Sequence, residues 1–153
     1  MANIRKIVKK VIPYQLFRKI EPAGHLVEAI IQNFHYGFPA KGMHIIGVTG
    51  TNGKTTTTFL IQKMLYEAGY KAAMLSTAAY GVGNDIRPQI EHITTAQSVN
   101  LLSRLRDFKR QGVEWVVLET SSHSLAQHRT WGIPYEIAVM TNVTNDHLDY
   151  HGT

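Results

Sequence analysis

Gly50-Thr51-Asn52-Gly53-Lys54-Thr55-Thr56 follows directly on the apolar run Met43-His44-Ile45-Ile46-Gly47-Val48. Glycines at a strand end let backbone N–H groups close around phosphate oxygens. A lysine beside them supplies a point charge to the terminal phosphates, and a threonine hydroxyl can ligate Mg²⁺. Strand, glycine turn, Lys-Thr and helix, in that order, make a nucleoside-triphosphate loop. The spacing departs from the general pattern, which wants a glycine five residues before the Gly53-Lys54 pair. That position is Val48, and the first glycine, Gly50, sits three before Gly53. The loop is a shortened one.

Three further clusters offer chemistry. Glu119 ends the apolar run Trp115-Val116-Val117-Leu118, the place where phosphate-loop enzymes hold their Mg²⁺. Beyond it stands Thr120-Ser121-Ser122-His123-Ser124-Leu125-Ala126-Gln127-His128-Arg129. Ser121 or Ser122 can be a plain helix cap. Arg129 suits an anionic substrate group through bidentate contacts, or is a surface arginine. Thr94-Thr95 pose the same choice between capping a helix and meeting an anion. The last cluster, Thr141 to Gly152, contains Asn145, Asp146, His147, Asp149 and His151. Histidines four apart beside aspartates could hold zinc. The Asn-rich turn and Gly152 argue against the helix that would align them, and His147 fits better as a ligand or positioning group for a second Mg²⁺. His25, His35, His44 and His92 are read as structural.

The elements that must position these groups alternate. A strand over 43–48 leads into the loop, and a helix over Thr55–Ala68 follows, with Leu60, Met64, Leu65 and Ala68 expected on its packed face and Gly69 as its stop. Lys71–Thr77 reads as a strand and Ala78–Ile93 as a Gly- and Asn-containing loop. Thr95 caps a helix carrying Val99, Leu102, Leu105 and Phe108, which Gly112 ends. Val113–Glu119 is a buried strand, Ser122–Arg129 a short helix, and Glu136–Thr141 the last strand. Strands alternating with helices predict an α/β fold with a parallel, helix-covered sheet. Ligands of such sheets collect at the carboxyl ends of strands, where every cluster above falls.

Residues 1–40 read as a basic helical leader before a domain over 41–153. Ile4, Ile7, Val8, Val11 and Ile12 recur at helical spacing up to Pro13, and a second helical stretch spans Leu26–Phe34. Arg5, Lys6, Lys9, Lys10, Arg18 and Lys19 give +6 before the first acid, so the net charge of +5 resides in this arm and the remainder carries −1. A nucleic-acid-binding face on the domain is disfavoured on that count. The leader is expected to pack on the domain with a solvated lysine face; the other reading is a basic amphipathic segment, residues 1–20, lying on an anionic membrane surface. At 153 residues the chain can bury one core. It has no cysteine, which excludes disulfides and thiolate metal sites and agrees with a cytoplasmic location.

Gly47-Val-Thr-Gly-Thr-Asn-Gly-Lys-Thr55, Glu119 to Arg129 and Asn145 to Gly152 together resemble the Mur ligases, ATP-dependent amide-forming enzymes of peptidoglycan synthesis. The second and third motifs are similar to the MurE branch, which adds the third amino acid to UDP-N-acetylmuramoyl-dipeptide. The resemblance covers about 43–153, the front of that family's central ATPase domain, and implies its three-layer P-loop NTPase-like sheet. It implies that Lys54 binds the β/γ-phosphates of ATP, that Thr55 takes one Mg²⁺, and that Glu119 and His147 hold a second. It also implies that Thr94, Thr95, Ser121, Gln127 and Arg129 line the muramoyl-peptide site. The family carries a UDP-binding domain in front, where this chain has about 40 basic residues, and amino-acid-binding and adenine-contacting parts beyond the last motif. The chain is therefore expected to be a truncated piece, inactive alone, whose missing C-terminal domain belongs in cis. Two other readings stay open: a related ligase acting on lipid II or folyl-polyglutamate, and a nucleotide-binding module without catalysis.

Overall fold

The structure is a computed structural model and describes residues 14–89 and 98–144. The chain runs α1 (Tyr14–Tyr36), β1 (His44–Thr49), α2 (Lys54–Glu67), β2 (Ala72–Leu75), β3 (Ala79–Val82), β4 (Asp85–Pro88), α3 (Ser98–Arg110), β5 (Trp115–Glu119), α4 (Ser122–Ala126) and β6 (Tyr135–Met140). One sheet holds all six strands in the order β4-β3-β2-β5-β1-β6. β2, β5, β1 and β6 are parallel, which agrees with the expected α/β class. Central strands of such a sheet are covered on both faces, so His44–Thr49 and Trp115–Glu119 read as unbroken apolar runs rather than alternating ones.

Alternate residues of those runs feed two cores. Ile45, Ala73, Leu75, Val116 and Leu118 face α3 and meet Leu101, Leu102, Leu105 and Phe108. Ile46, Val48 and Val117 face α2 and meet Ile61 and Leu65. The period of two along each strand thus makes a helix–sheet–helix sandwich, with α1 packed outside α3.

Three local readings need correction. The stretch from Ala78 contains a hairpin: β2 pairs antiparallel with β3, and β3 with β4, around the two-residue turn Gly83-Asn84. Gly83 takes φ 59°, a region that favours glycine, and the turn's shortness makes the pairing local. The sheet is consequently mixed. α2 does not bury Leu60 and Met64, which stand exposed. Its packed face is Thr58, Ile61, Gln62 and Leu65, and Gln62 Nε2 donates to the carbonyls of Ala72 and Gly83, tying the helix to β2 and the hairpin turn. Lastly, α1 is one helix from Tyr14 that passes through Pro22, although a proline breaks the backbone ladder. Its inner face carries it: His25, Ala29 and Asn33, four apart, are buried, and Asn33 Nδ2 donates to the carbonyls of Ala29 (2.9 Å) and Trp131 (2.8 Å).

Candidate functional site

β1 delivers the glycine loop at its carboxyl end, between β5 on one side and β6 on the other. Gly50 has φ 132°, and a Cβ there would lie 2.2 Å from the Thr141 hydroxyl and 2.8 Å from the Asn142 carbonyl oxygen. Only glycine admits so close an approach. Gly53 has φ 82° and caps α2 without a side chain, and no acidic residue stands in the first turn. The positive end of a 14-residue helix is thus presented at the loop without a protein carboxylate on its own first turn, the arrangement that suits a phosphate.

The loop is latched from β6. Asn52 N–H donates to Asn142 Oδ1, and Asn142 Nδ2 donates back to the Asn52 carbonyl, both at 3.0 Å. Thr51 N–H donates to the Asn142 carbonyl (3.0 Å), Thr144 N–H to the Thr51 hydroxyl (3.0 Å), and the Thr141 hydroxyl to the Asn52 carbonyl (2.7 Å). Lys54 curls over the same turn, its Nζ donating to the carbonyls of Gly50 (2.7 Å) and Thr51 (2.8 Å). An ammonium on two carbonyls at the helix N-terminus is already where terminal phosphates would need a counter-charge.

Glu119 is 5% exposed and ends β5 beside β1. Its Oε2 accepts from the Thr55 hydroxyl (2.8 Å) and from Thr77 N–H (3.1 Å), and the Thr77 hydroxyl lies 3.3 Å from both carboxylate oxygens. A buried carboxylate needs such donors. Thr77 was not singled out by the sequence as a site residue. Its signal was its position, just past β2, the strand paired with β5. The hydroxyl of Thr55 and the carboxylate of Glu119 are hard oxygen donors of the kind Mg²⁺ prefers, and they converge beside the loop. The residues present fit that ion. No cluster of three or more His, Cys, Asp or Glu occurs among the described residues.

The other predicted residues separate into two groups. Ser121 is the N-cap of α4, its Oγ accepting from Ser124 N–H at 3.2 Å, so the capping role holds. α4 closes at Ala126, shorter than the expected helix to Arg129. His128 turns the chain with φ 54°, Arg129 N–H donates to the Ser124 carbonyl, and Ser98 at the head of α3 donates to the Arg129 carbonyl (3.1 Å). Gln127 is buried, and its Oε1 has no hydrogen-bond partner among the described residues. Thr94, Thr95 and His147, with the candidate zinc pair of His147 and His151, lie outside the described residues. His44, read as structural, is exposed, stacks on Trp115 with ring centroids 4.4 Å apart and contacts Glu136 at 2.6 Å.

Tyr135, also unmarked in the sequence reading, roofs Gly47, where a Cβ would meet its ring at 2.7 Å. Its hydroxyl and that of Thr120 lie 2.9 Å apart, and burial raises the phenol's pKa above its ordinary value. The contact fixes β6 against β1 and β5 directly below the loop.

Comparison with known proteins accords with this geometry. Residues 48–153 match the family profile of the Mur ligase middle domain. The UDP-N-acetylmuramoyl-L-alanyl-D-glutamate–2,6-diaminopimelate ligase of Geobacillus thermodenitrificans is 42% identical over 134 residues, covering 88% of this chain and 27% of the relative. The ligase of the same name from Clostridium botulinum is 45% identical over 126 residues, covering 82% and 26%. The chain therefore spans about a quarter of the length of these curated relatives. A solved structure of a ligase with that name superposes with a TM-score of 0.63 at 41% identity, over 74% of this chain and 22% of the other. The E. coli FolC structure in complex with DHPP and ADP superposes with a TM-score of 0.62 at 25% identity, over 82% and 35%.

Proposed function

Because the chain belongs to the Mur ligase family through its middle domain, we propose that it is the nucleotide-binding part of an ATP-dependent ligase that extends UDP-N-acetylmuramoyl-dipeptide by an amino acid. The observation that carries the reading is the convergence of Lys54, Thr55 and Glu119 on one glycine loop. In this reading residues 41–153 are the ATP-binding domain, residues 1–40 its leader, and the enzyme works in the cytoplasm. The amino acid is diaminopimelate in the relatives' names, and the full protein's remaining parts would select it.

The division of labour follows from charge. Both partners in the first step, a substrate carboxylate and the γ-phosphate, are negative, so cations must stand between them. Lys54 contributes one, moving from its loop carbonyls to the β/γ-phosphates, while loop N–H groups from Gly50 to Thr56 hold the phosphate chain. Thr55, Glu119 and His147 would hold Mg²⁺, which supplies further neutralisation when bound. Thr77 holds Glu119 in place through its backbone N–H and hydroxyl. Thr94, Thr95, Ser121, Gln127 and Arg129 would receive the muramoyl peptide, presenting its carboxylate in line with the γ-phosphate. Attack gives an acyl phosphate and ADP; the incoming amine then displaces phosphate and forms the amide.

The E. coli FolC structure shares the fold, yet the 41% identity to a muramoyl ligase structure against 25% to FolC favours the muramoyl reading. The test uses the full-length protein with MgATP and diaminopimelate. Phosphate release that requires UDP-N-acetylmuramoyl-dipeptide, and is not supported by a folate substrate with glutamate, is the expected result; no release with the dipeptide would sink the proposal. Lys54→Ala should weaken ATP binding by about 10- to 100-fold in calorimetry, the cost of losing charged hydrogen bonds.

A further inference from the structure

α1 leaves a row of large apolar side chains uncovered. The face it packs on the domain carries His25, Ala29 and Asn33, all buried, with Tyr36 packed on the core at its end. The opposite face carries Val27, Ile31 and Phe34, which are 55%, 53% and 70% exposed. Their spacing of four and three residues aligns them in a single stripe along the helix. The stripe does not stop at the helix end. Phe38 meets Phe34 edge to face with centroids 5.3 Å apart, and Trp131, 39% exposed, follows at 6.5 Å from Phe38. Behind Trp131 the surface is anchored, since its carbonyl accepts from Asn33 on the inner face of α1.

We propose that this stripe is a docking surface for an anionic lipid bilayer, on which α1 lies in the interface. The occupant is chosen by charge. Six basic side chains and no acidic one precede Glu21 in the sequence, so the segment leading into the stripe is strongly cationic while the rest of the chain is close to neutral. Aliphatic and aromatic groups set on one helix face, with Phe and Trp among them and a basic run adjoining, meet the two requirements of interfacial binding: apolar area to insert and cations to meet lipid phosphates. No described helix is long and apolar enough to cross a membrane, so the surface lies on the bilayer rather than through it. The inference stands on the N-terminal helix and is independent of the ligase reading, whose loop and carboxylate sit at the carboxyl ends of the strands.

The full-length protein is floated with vesicles of phosphatidylcholine containing 30% phosphatidylglycerol, and with pure phosphatidylcholine. Binding to the anionic vesicles only, weakened by salt, is expected. The double variant Ile31→Ser/Phe34→Ser should lower the partition coefficient by about tenfold or more with its melting temperature unchanged, because each side chain inserts exposed apolar surface. In a Trp115→Phe background, brominated lipid should quench Trp131 fluorescence, a readout that leaves the stripe intact. The proposal is overturned by no flotation, by flotation that the double variant leaves unchanged, or by unquenched Trp131. It is equally overturned if the double variant splits a dimer of the vesicle-free protein without altering flotation, which would assign the stripe to a second copy.

Discussion

The glycine loop and the N-terminal helix treat polarity in opposite ways. Around the loop, polar groups are drawn together: Asn142, Thr141 and Thr144 close on Thr51 and Asn52, Lys54 folds onto loop carbonyls, and Glu119 collects Thr55 and Thr77. On α1 Val27, Ile31 and Phe34 point away from the protein, while Asn33 and Tyr36 attach the helix inward. The first arrangement is a site whose geometry the protein sets for itself. The second is a surface whose apolar area contributes nothing until something else covers it. Stability should therefore depend steeply on one and hardly at all on the other.

The largest effect belongs to Gly50→Ala. A Cβ within 2.2 Å of the Thr141 hydroxyl, on backbone at φ 132°, should cost about 2–4 kcal/mol, measured as a fall in the denaturant midpoint. A loss under 0.5 kcal/mol would mean that the β6 latch yields easily, and the contrast between the regions would weaken. Asn142→Ala comes next. It removes both reciprocal hydrogen bonds to Asn52 at a partly solvated position, for about 1 kcal/mol and faster hydrogen exchange at the Thr51 and Asn52 amides. Unchanged exchange would show the loop held by its own backbone. The smallest change is expected of Phe34→Ser, within about 0.5 kcal/mol of the parent. Destabilisation above 1 kcal/mol would mean that the stripe is already packed in solution, which contradicts its exposure.

The sequence reading reached most of the sheet because β1, β5 and β6 are apolar runs long enough to declare themselves, each ended by a turn or a polar cluster. It missed β3 and β4 because four-residue strands such as Ala79–Val82 carry little apolar weight, although Gly83-Asn84 between two short runs is a hairpin signal. On α2 it counted hydrophobic residues, and of the expected Leu60, Met64, Leu65 and Ala68 the fold packs Leu65 and leaves the other three exposed. The fold instead buries Thr58 and Gln62, and for Gln62 the warrant is two tertiary hydrogen bonds that no local pattern announces. α1 begins at Tyr14, well before the expected stretch Leu26–Phe34, and continues through Pro22, a residue type that interrupts a helical pattern. At the site the split is similar. Lys54, Thr55 and Glu119 were legible because their chemistry is set by residue type beside a loop or strand end. Thr77, Asn142 and Tyr135 act through adjacency of strands distant in sequence, which follows from the order β2-β5-β1-β6 and not from spacing.

β6 closes the sheet on the side of the loop, and no described strand pairs with its outer edge. Ile137 and Met140 are exposed along it. The start of that edge is blunted, because Pro134 precedes the strand and the register with β1 shifts around the charged Glu136, whereas Ile137–Met140 carries neither charge nor proline and leaves its N–H and C=O groups as a template for pairing. A strand added to that edge would lie next to the glycine loop, which β1 carries one strand away. The glycine loop and an unpaired sheet edge thus adjoin through one strand.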